Sequence, residues 1–135
     1  MAITNTFRKC LESPYLFEDP EAPARVGALL AAAGDRLEAA VNIQTTGQGD
    51  PADASLLAYE AMFSCLRALV YTKGYREAGL RCLLLACDEL YVRPGTLDGG
   101  LIQAFERAQG LKLPPAETIA AAAALVKRTL EILGQ

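Results

Sequence analysis

Apolar residues recur at three- and four-residue intervals through most of this chain, the period of amphipathic helices packed on one another. Val26, Leu30, Ala33, Leu37 and Val41 predict a first long helix over residues 21–44 with one buried stripe. Two start signals compete there, Asp19-Pro20 and Pro23. Thr45 to Gly49 reads as a flexible loop. Asp50 is a good N-cap for a second helix, Pro51 suits its first position, and Asp53 adds negative charge to the first turn. That helix ends near Thr72, before Gly74. It has three faces. Leu56, Tyr59, Met62, Phe63, Leu66, Leu69 and Val70 form a wide apolar arc. Ala54, Ala58, Ala61, Cys65 and Ala68 form a stripe of small residues, and Asp53, Glu60, Ser64, Arg67 and Tyr71 a polar one. A helix apolar on one side and small on another is central, with neighbours on both sides.

A third helix is expected over residues 76–92, with Leu80, Leu83, Leu84, Cys87, Leu90 and Tyr91 as its core stripe and Glu77 paired with Arg81 on its surface. Arg93-Pro94-Gly95 stops it. A fourth, over 97–109, carries Leu101, Ile102 and Phe105 and ends at Gly110. The last starts at Pro114-Pro115 and turns Ile119, Ala122, Val126, Leu130 and Leu133 inward. Phe7 and Leu11 are helically spaced in the opening segment, and Ser13-Pro14 breaks that turn. Tyr15, Leu16 and Phe17 follow, too apolar for a free tail, and are expected to pack on the domain or on a partner subunit. The pattern carries no strand signal. It predicts an all-α, antiparallel bundle of four to five helices over residues 21–135, preceded by an apolar lead-in over 1–20.

Composition fits one packed domain: 135 residues, 52% hydrophobic and 21% charged. The net charge of −3 argues against strong non-specific nucleic-acid binding. Charge is uneven, with four basic and nine acidic residues in 1–60 against nine basic and seven acidic in 61–135. No secretory pattern or membrane-length apolar run stands out, so a soluble cytoplasmic protein without membrane association is the expectation. Cys10, Cys65, Cys82 and Cys87 lack Cys-x-x-Cys spacing, and the chain has no histidine. They read as reduced, buried thiols with no metal site.

The hairpin over residues 56–91 carries a resemblance. Tyr59-Glu60-Ala61-Met62-Phe63, Arg67-Ala68-Leu69, Lys73-Gly74-Tyr75-Arg76-Glu77, Gly79 and the apolar run after it resemble the central hairpin of small bacterial HEPN domains. The resemblance implies a helical bundle, often dimeric, often encoded near a nucleotidyltransferase or within defence systems. It also implies, for catalytic members, a metal-independent ribonuclease motif of arginine, four to six residues, then histidine. Arg107 is the best-placed arginine, and the histidine positions hold Lys112, Leu113 and Pro114. After Arg76 they hold Arg81, Cys82 and Leu83. Cutting RNA without a metal needs a group that exchanges protons near neutral pH. The expectation is therefore a non-catalytic module with no cofactor, a homodimer that acts through a protein partner. The alternative is a nucleotide- or RNA-binding accessory to a nucleotidyltransferase. A rival fold, a tetratricopeptide-like pair, fits Gly74 to Ala78 but finds no second repeat.

Tyr71, Lys73, Tyr75, Arg76 and Arg81 cluster in sequence around the hairpin turn. One reading is a phosphate or RNA contact with tyrosines that stack on bases. The other is a turn whose tyrosines cap the core, which the charge of Glu77 favours. Glu60 and Arg67, seven apart on one face, are expected to pair with each other or to line a pocket between helices. No dinucleotide, phosphate-loop or nucleophile-elbow motif occurs.

Overall fold

The structure, a computed structural model, describes residues 5–134. Its elements run α1 (Phe7–Leu11), β1 (Leu16–Glu18), a 3-10 turn (Ala22–Arg25), α2 (Val26–Thr46), α3 (Pro51–Thr72), β2 (Tyr75–Glu77), α4 (Leu80–Cys87), α5 (Gly99–Gln109) and α6 (Pro115–Leu133). A π-helical turn, Asp88–Val92, continues α4. The chain is 73% helical and all-α apart from a two-stranded ribbon. Residues 1–4 of the lead-in and residue 135 of the bundle lie outside the described residues.

The second long helix of the sequence, α3, is the axis of the bundle. Asp50 caps it as its side chain predicts, accepting a hydrogen bond from Ala52 N at 2.9 Å. Every member of the small stripe, Ala54, Ala58, Ala61, Cys65 and Ala68, is buried. Met62, Leu66, Leu69 and Val70 are buried on the apolar arc, while Leu56 at its start is exposed. Neighbours press on it from several sides. Tyr59 stacks on Phe105 of α5, with ring centroids 4.8 Å apart. The Cys87 thiol of α4 donates to the Leu66 carbonyl at 3.7 Å. The Tyr91 hydroxyl donates to the Leu69 carbonyl. Thr129 of α6 lies against the Cys65 thiol. α3 is also long and apolar enough, by length and composition, to cross a membrane, but its window is 56% buried inside the bundle.

Three of the helices are rotated relative to the sequence reading. α2 buries Ala33 and Ala40, and Val41 faces outward. Two alanines at the contact let α2 lie close along α3, and larger residues such as Val26, Leu29 and Leu37 flank them half-buried. α6 buries Thr118, Ile119, Ala122, Leu125 and Thr129, so Val126, Leu130 and Leu133 sit at the edge of the interface. α4 buries Cys82, Leu83, Ala86 and Cys87. Leu80, Leu84 and Leu90 are half-buried instead. The π turn after α4 is a wider coil that the periodicity gives no hint of.

The largest correction lies between α3 and α4. Residues 75–77 are not the start of a helix. They pair antiparallel with the lead-in, Leu16 against Glu77, Phe17 against Arg76, and Glu18 against Tyr75. Gly74, with φ +85, takes the left-handed turn out of α3, and its carbonyl accepts from Asp19 N at 2.8 Å. Leu16 is fully buried, and Phe7 meets the Tyr75 ring edge-on at 5.5 Å. This pairing seats α1 on α4 and joins Cys10 to Cys82 as a buried disulfide, with Cα atoms 5.7 Å apart. Two of the four cysteines expected to be reduced are therefore crosslinked; Cys65 and Cys87 are free and buried.

The helix end at residue 110 also differs in detail. Gly110 is not the left-handed residue. Leu111 is, at φ +57, while Lys112 N bonds the Arg107 carbonyl at 2.9 Å and Leu111 N the Ala108 carbonyl at 3.1 Å. That hydrogen-bond pattern is a Schellman ending with leucine where glycine is usual.

The packing of α3 sets two expectations. Ala61→Leu or Ala68→Leu should destabilise the protein by roughly 1–3 kcal/mol through overpacking, and Leu66→Ala by roughly 2–5 kcal/mol through a cavity. Denaturant unfolding measures both, and neutral leucine variants would remove the close approach of helices on this stripe. Opening the Cys10–Cys82 disulfide, which spans a sequence separation of 72, should lower stability by about 4 kcal/mol on the chain-entropy argument. Unfolding midpoints of oxidised and fully reduced protein give that difference directly.

Candidate functional site

Glu77 is the organising residue of the region where the sequence cluster falls. β2 is too short to bury its own polar groups, and its pairing with β1 sets Glu77 against the last turns of α3. There its side chain is 6% exposed. Arg67 and Tyr71, one helical turn apart on α3, both reach it. The Tyr71 hydroxyl donates to Glu77 Oε1 at 2.8 Å. Arg67 Nη2 donates to Glu77 Oε2 at 3.4 Å, and Arg67 Nε lies 3.3 Å from Oε1 without hydrogen-bond alignment. The Arg67 guanidinium also covers the Phe63 ring at 4.2 Å. Burial, reinforced by the bond to Glu77, holds the Tyr71 phenol above its ordinary pKa.

The structure brings some of the sequence-predicted residues together and separates others. Tyr71, Arg67 and Arg76 line one open depression beside Glu77. Arg76 also reaches Asp19 at 3.7 Å across the ribbon. Lys73 is turned to the Tyr91 ring, 5.6 Å from its centroid, and Tyr75 is spent on Phe7. Arg81 lines a different groove, with Leu84, Ile102 and Glu106 between α4 and α5. Glu60 does not pair with Arg67. It bonds Arg36 of α2 at 2.9 Å, because α2 runs beside that face of α3 and Glu77 has already taken Arg67. The expected Glu77–Arg81 surface pair does not form: Glu77 is a strand residue whose side chain turns inward to Arg67 and Tyr71, not a helix-surface one.

Three contributors escape the sequence reading. Glu77 needs the ribbon to be seen, and Asp19 and Arg25 come from the connection between β1 and α2. The only local cues were one β-prone aromatic in each triplet, Phe17 and Tyr75, and the glycines Gly74 and Gly79 around the second. Three residues are too few for a two-residue period to be told from a helical one.

The groups whose proton affinity is displaced all move away from neutral pH. Burial raises the Cys65 thiol to about 11, with Thr129 opposing, and raises Cys87 further, with Asp88 and Glu77 adding to it. Burial also raises Tyr59 and takes Tyr91 to about 12. Among the described residues no three Cys, Asp or Glu side chains gather as metal ligands. Arg107 and Lys112 are exposed around the end of α5.

The chain matches no family model, no curated protein and no solved structure.

Burial should separate Glu60 of α3 from Glu77 of β2. Glu77→Ala removes a partner from a nearly buried group and should cost about 2–3 kcal/mol. Glu60→Ala breaks a pair whose side chains are 41% and 43% exposed, and should cost less than about 1 kcal/mol. Unfolding free energies of the two variants decide the matter; equal losses would mean that burial of Glu77 is not what stabilises the ribbon.

Proposed function

We propose that this protein is a non-catalytic helical binding module, HEPN-like in its central hairpin, that forms a homodimer and acts through a protein partner. The observation that carries this reading is the pair Tyr15 and Phe17. Leu16 between them is fully buried, so the alternation of an extended strand turns its neighbours outward, 49% and 41% exposed. Leu11 adds to the exposed apolar residues of the same lead-in. Two exposed aromatics and an exposed aliphatic side chain on one short segment favour contact with another protein surface, because burial removes apolar area from water. A second copy is the partner always at hand.

The non-catalytic part rests on proton chemistry. Metal-free RNA cleavage needs a group that gains and loses a proton near neutral pH. The chain has no histidine, its free thiols are buried with raised pKa values, and the residues after Arg107 offer only Lys112 in an exposed loop. The alternative, an accessory that presents a nucleotide or RNA at the hairpin turn, loses Lys73, Tyr75 and Arg81 to other contacts and grooves. The Cys10–Cys82 disulfide weighs against the cytoplasmic placement, since reducing compartments keep such pairs open.

Light scattering should give a mass near twice 14.4 kDa. A Tyr15→Ser, Phe17→Ser double variant should run as a monomer with unchanged helical content. Wild-type protein that stays monomeric at high concentration would remove the dimer. The purified protein should leave single-stranded RNA and transfer RNA intact at about pH 6–8, with or without divalent metal. Cleavage that disappears in Arg107→Ala would overturn the non-catalytic reading.

A further inference from the structure

Three arginines of this acidic chain meet at one place. Arg25 comes from the 3-10 turn, Arg67 from α3 and Arg76 from β2, and all three line a single open depression of about 510 Å³. Ala24 and Ala28 line it too, and their short side chains leave its interior open. Glu77 is the one carboxylate in its lining. The lining therefore carries three guanidinium charges against one carboxylate, and with Asp19, which touches Arg76, the local excess is one positive charge in a chain of net charge −3.

These charges are incompletely used within the fold. Glu77 is shared between Arg67 and the Tyr71 hydroxyl. Arg67 Nε is buried with no aligned acceptor among the described residues. Arg76 meets Asp19 at 3.7 Å, longer than the roughly 2.7–2.9 Å of a charge-assisted hydrogen bond. Arg25 has no ion-pair partner among the described residues. Each guanidinium presents its N–H groups in a planar fork that suits oxyanions.

We propose that this depression binds the phosphomonoester dianion of a small molecule. A phosphomonoester offers three terminal oxygens to the three guanidinium groups, whereas a carboxylate offers only two. A tetrahedral phosphate accepts from several forks at once. The volume falls within the roughly 300–1,000 Å³ of small-ligand sites, so the rest of a nucleotide-sized molecule fits over Ala24 and Ala28. The site adjoins the exposed aromatic pair, since Phe17 is the cross-strand partner of Arg76, but neither Tyr15 nor Phe17 lines it.

Calorimetric titration of the full chain at low salt tests the assignment. Adenosine 5′-monophosphate and glycerol phosphate should both bind, adenosine should not, and added salt should weaken both phosphates. Affinity for the monophosphate should rise from about pH 5 to pH 7.5, because the monoester gains its second charge near pH 6. The groups that face the site are Arg25, Arg67, Tyr71, Arg76 and the carboxylates Asp19 and Glu77. The arginines stay charged, and Tyr71 stays neutral because its pKa is raised. Sulfate keeps two charges throughout, so its binding should not follow pH; a matching rise for sulfate would place the titration on the protein and overturn the dianion assignment. Arg25→Gln alters an exposed, unpaired side chain. It should weaken monophosphate binding about tenfold, as loss of one charge-assisted contact does, without moving the unfolding midpoint. Arg76→Gln should weaken it as well. Absence of binding by either phosphate, equal binding of adenosine, or unchanged affinity in both variants would each overturn the proposal, whatever the oligomeric state.

Discussion

The close approach of neighbouring helices to α3 is the constraint on which the rest of the molecule depends. α3 buries a line of alanines and one cysteine on one side and leucines, methionine and valine on the other. Small residues bring backbones near; large ones fill the space on the far side. α2 answers with alanines of its own, Ala33 and Ala40, and α6 with Ala122, Thr118 and Thr129. A helix enclosed in this way has few positions left for polar side chains. Of its polar side chains, Glu60, Arg67 and Tyr71 lie along the strip between α2 and the ribbon. The location of the candidate site is therefore a consequence of packing: it is where the central helix can still present polar groups.

The ribbon turns that strip into a site. A two-stranded pair of three residues each has little stability in isolation. Here it is fixed by the buried Leu16, by Phe7 on Tyr75, and by the Cys10–Cys82 crosslink next to it. With the ribbon held, Glu77 is carried into a nearly buried position, where a carboxylate needs compensation. Arg67 and Tyr71 supply it. The lead-in is thus not an appendage to the bundle, since the position of Glu77 depends on residues 16–18.

Helix-level features of this fold were legible because they are local. Asp50-Pro51 starts α3, Gly74 ends it, Pro114-Pro115 opens α6, and the small stripe of α3 lies on one wheel face. Which face of α2 and α6 turns inward was less legible. Both helices are rich in alanine, and alanine is compatible with burial and exposure alike, so Val41 and Val126 drew the stripe toward themselves. The ribbon and disulfide were not legible at all. They join residues 16–18 to 75–77 and Cys10 to Cys82, and no short window contains both partners. The site inherited that blindness: Arg67, Tyr71 and Arg76 were found from one helix and its turn, whereas Glu77 was misread and Arg25 passed over.

A buried carboxylate ringed by more arginines than it can satisfy has a particular electrostatic character. One guanidinium is enough to compensate Glu77, and Arg67 is positioned to do so, steadied by the face of Phe63. The further charges of Arg25 and Arg76 are not required by that pairing. Arg76 has a loose contact with Asp19, and Arg25 has none among the described residues. Surface arginines gain little from solvent-exposed pairing, so their convergence from three separate elements does little for stability. In a chain whose acidic residues outnumber its basic ones, that convergence instead creates a local field of opposite sign to the whole. The same Glu77 that fixes Arg67 also keeps the depression from being uniformly positive. It gives the depression one acceptor among its donors, so the positive character is concentrated toward Arg25 and Arg76.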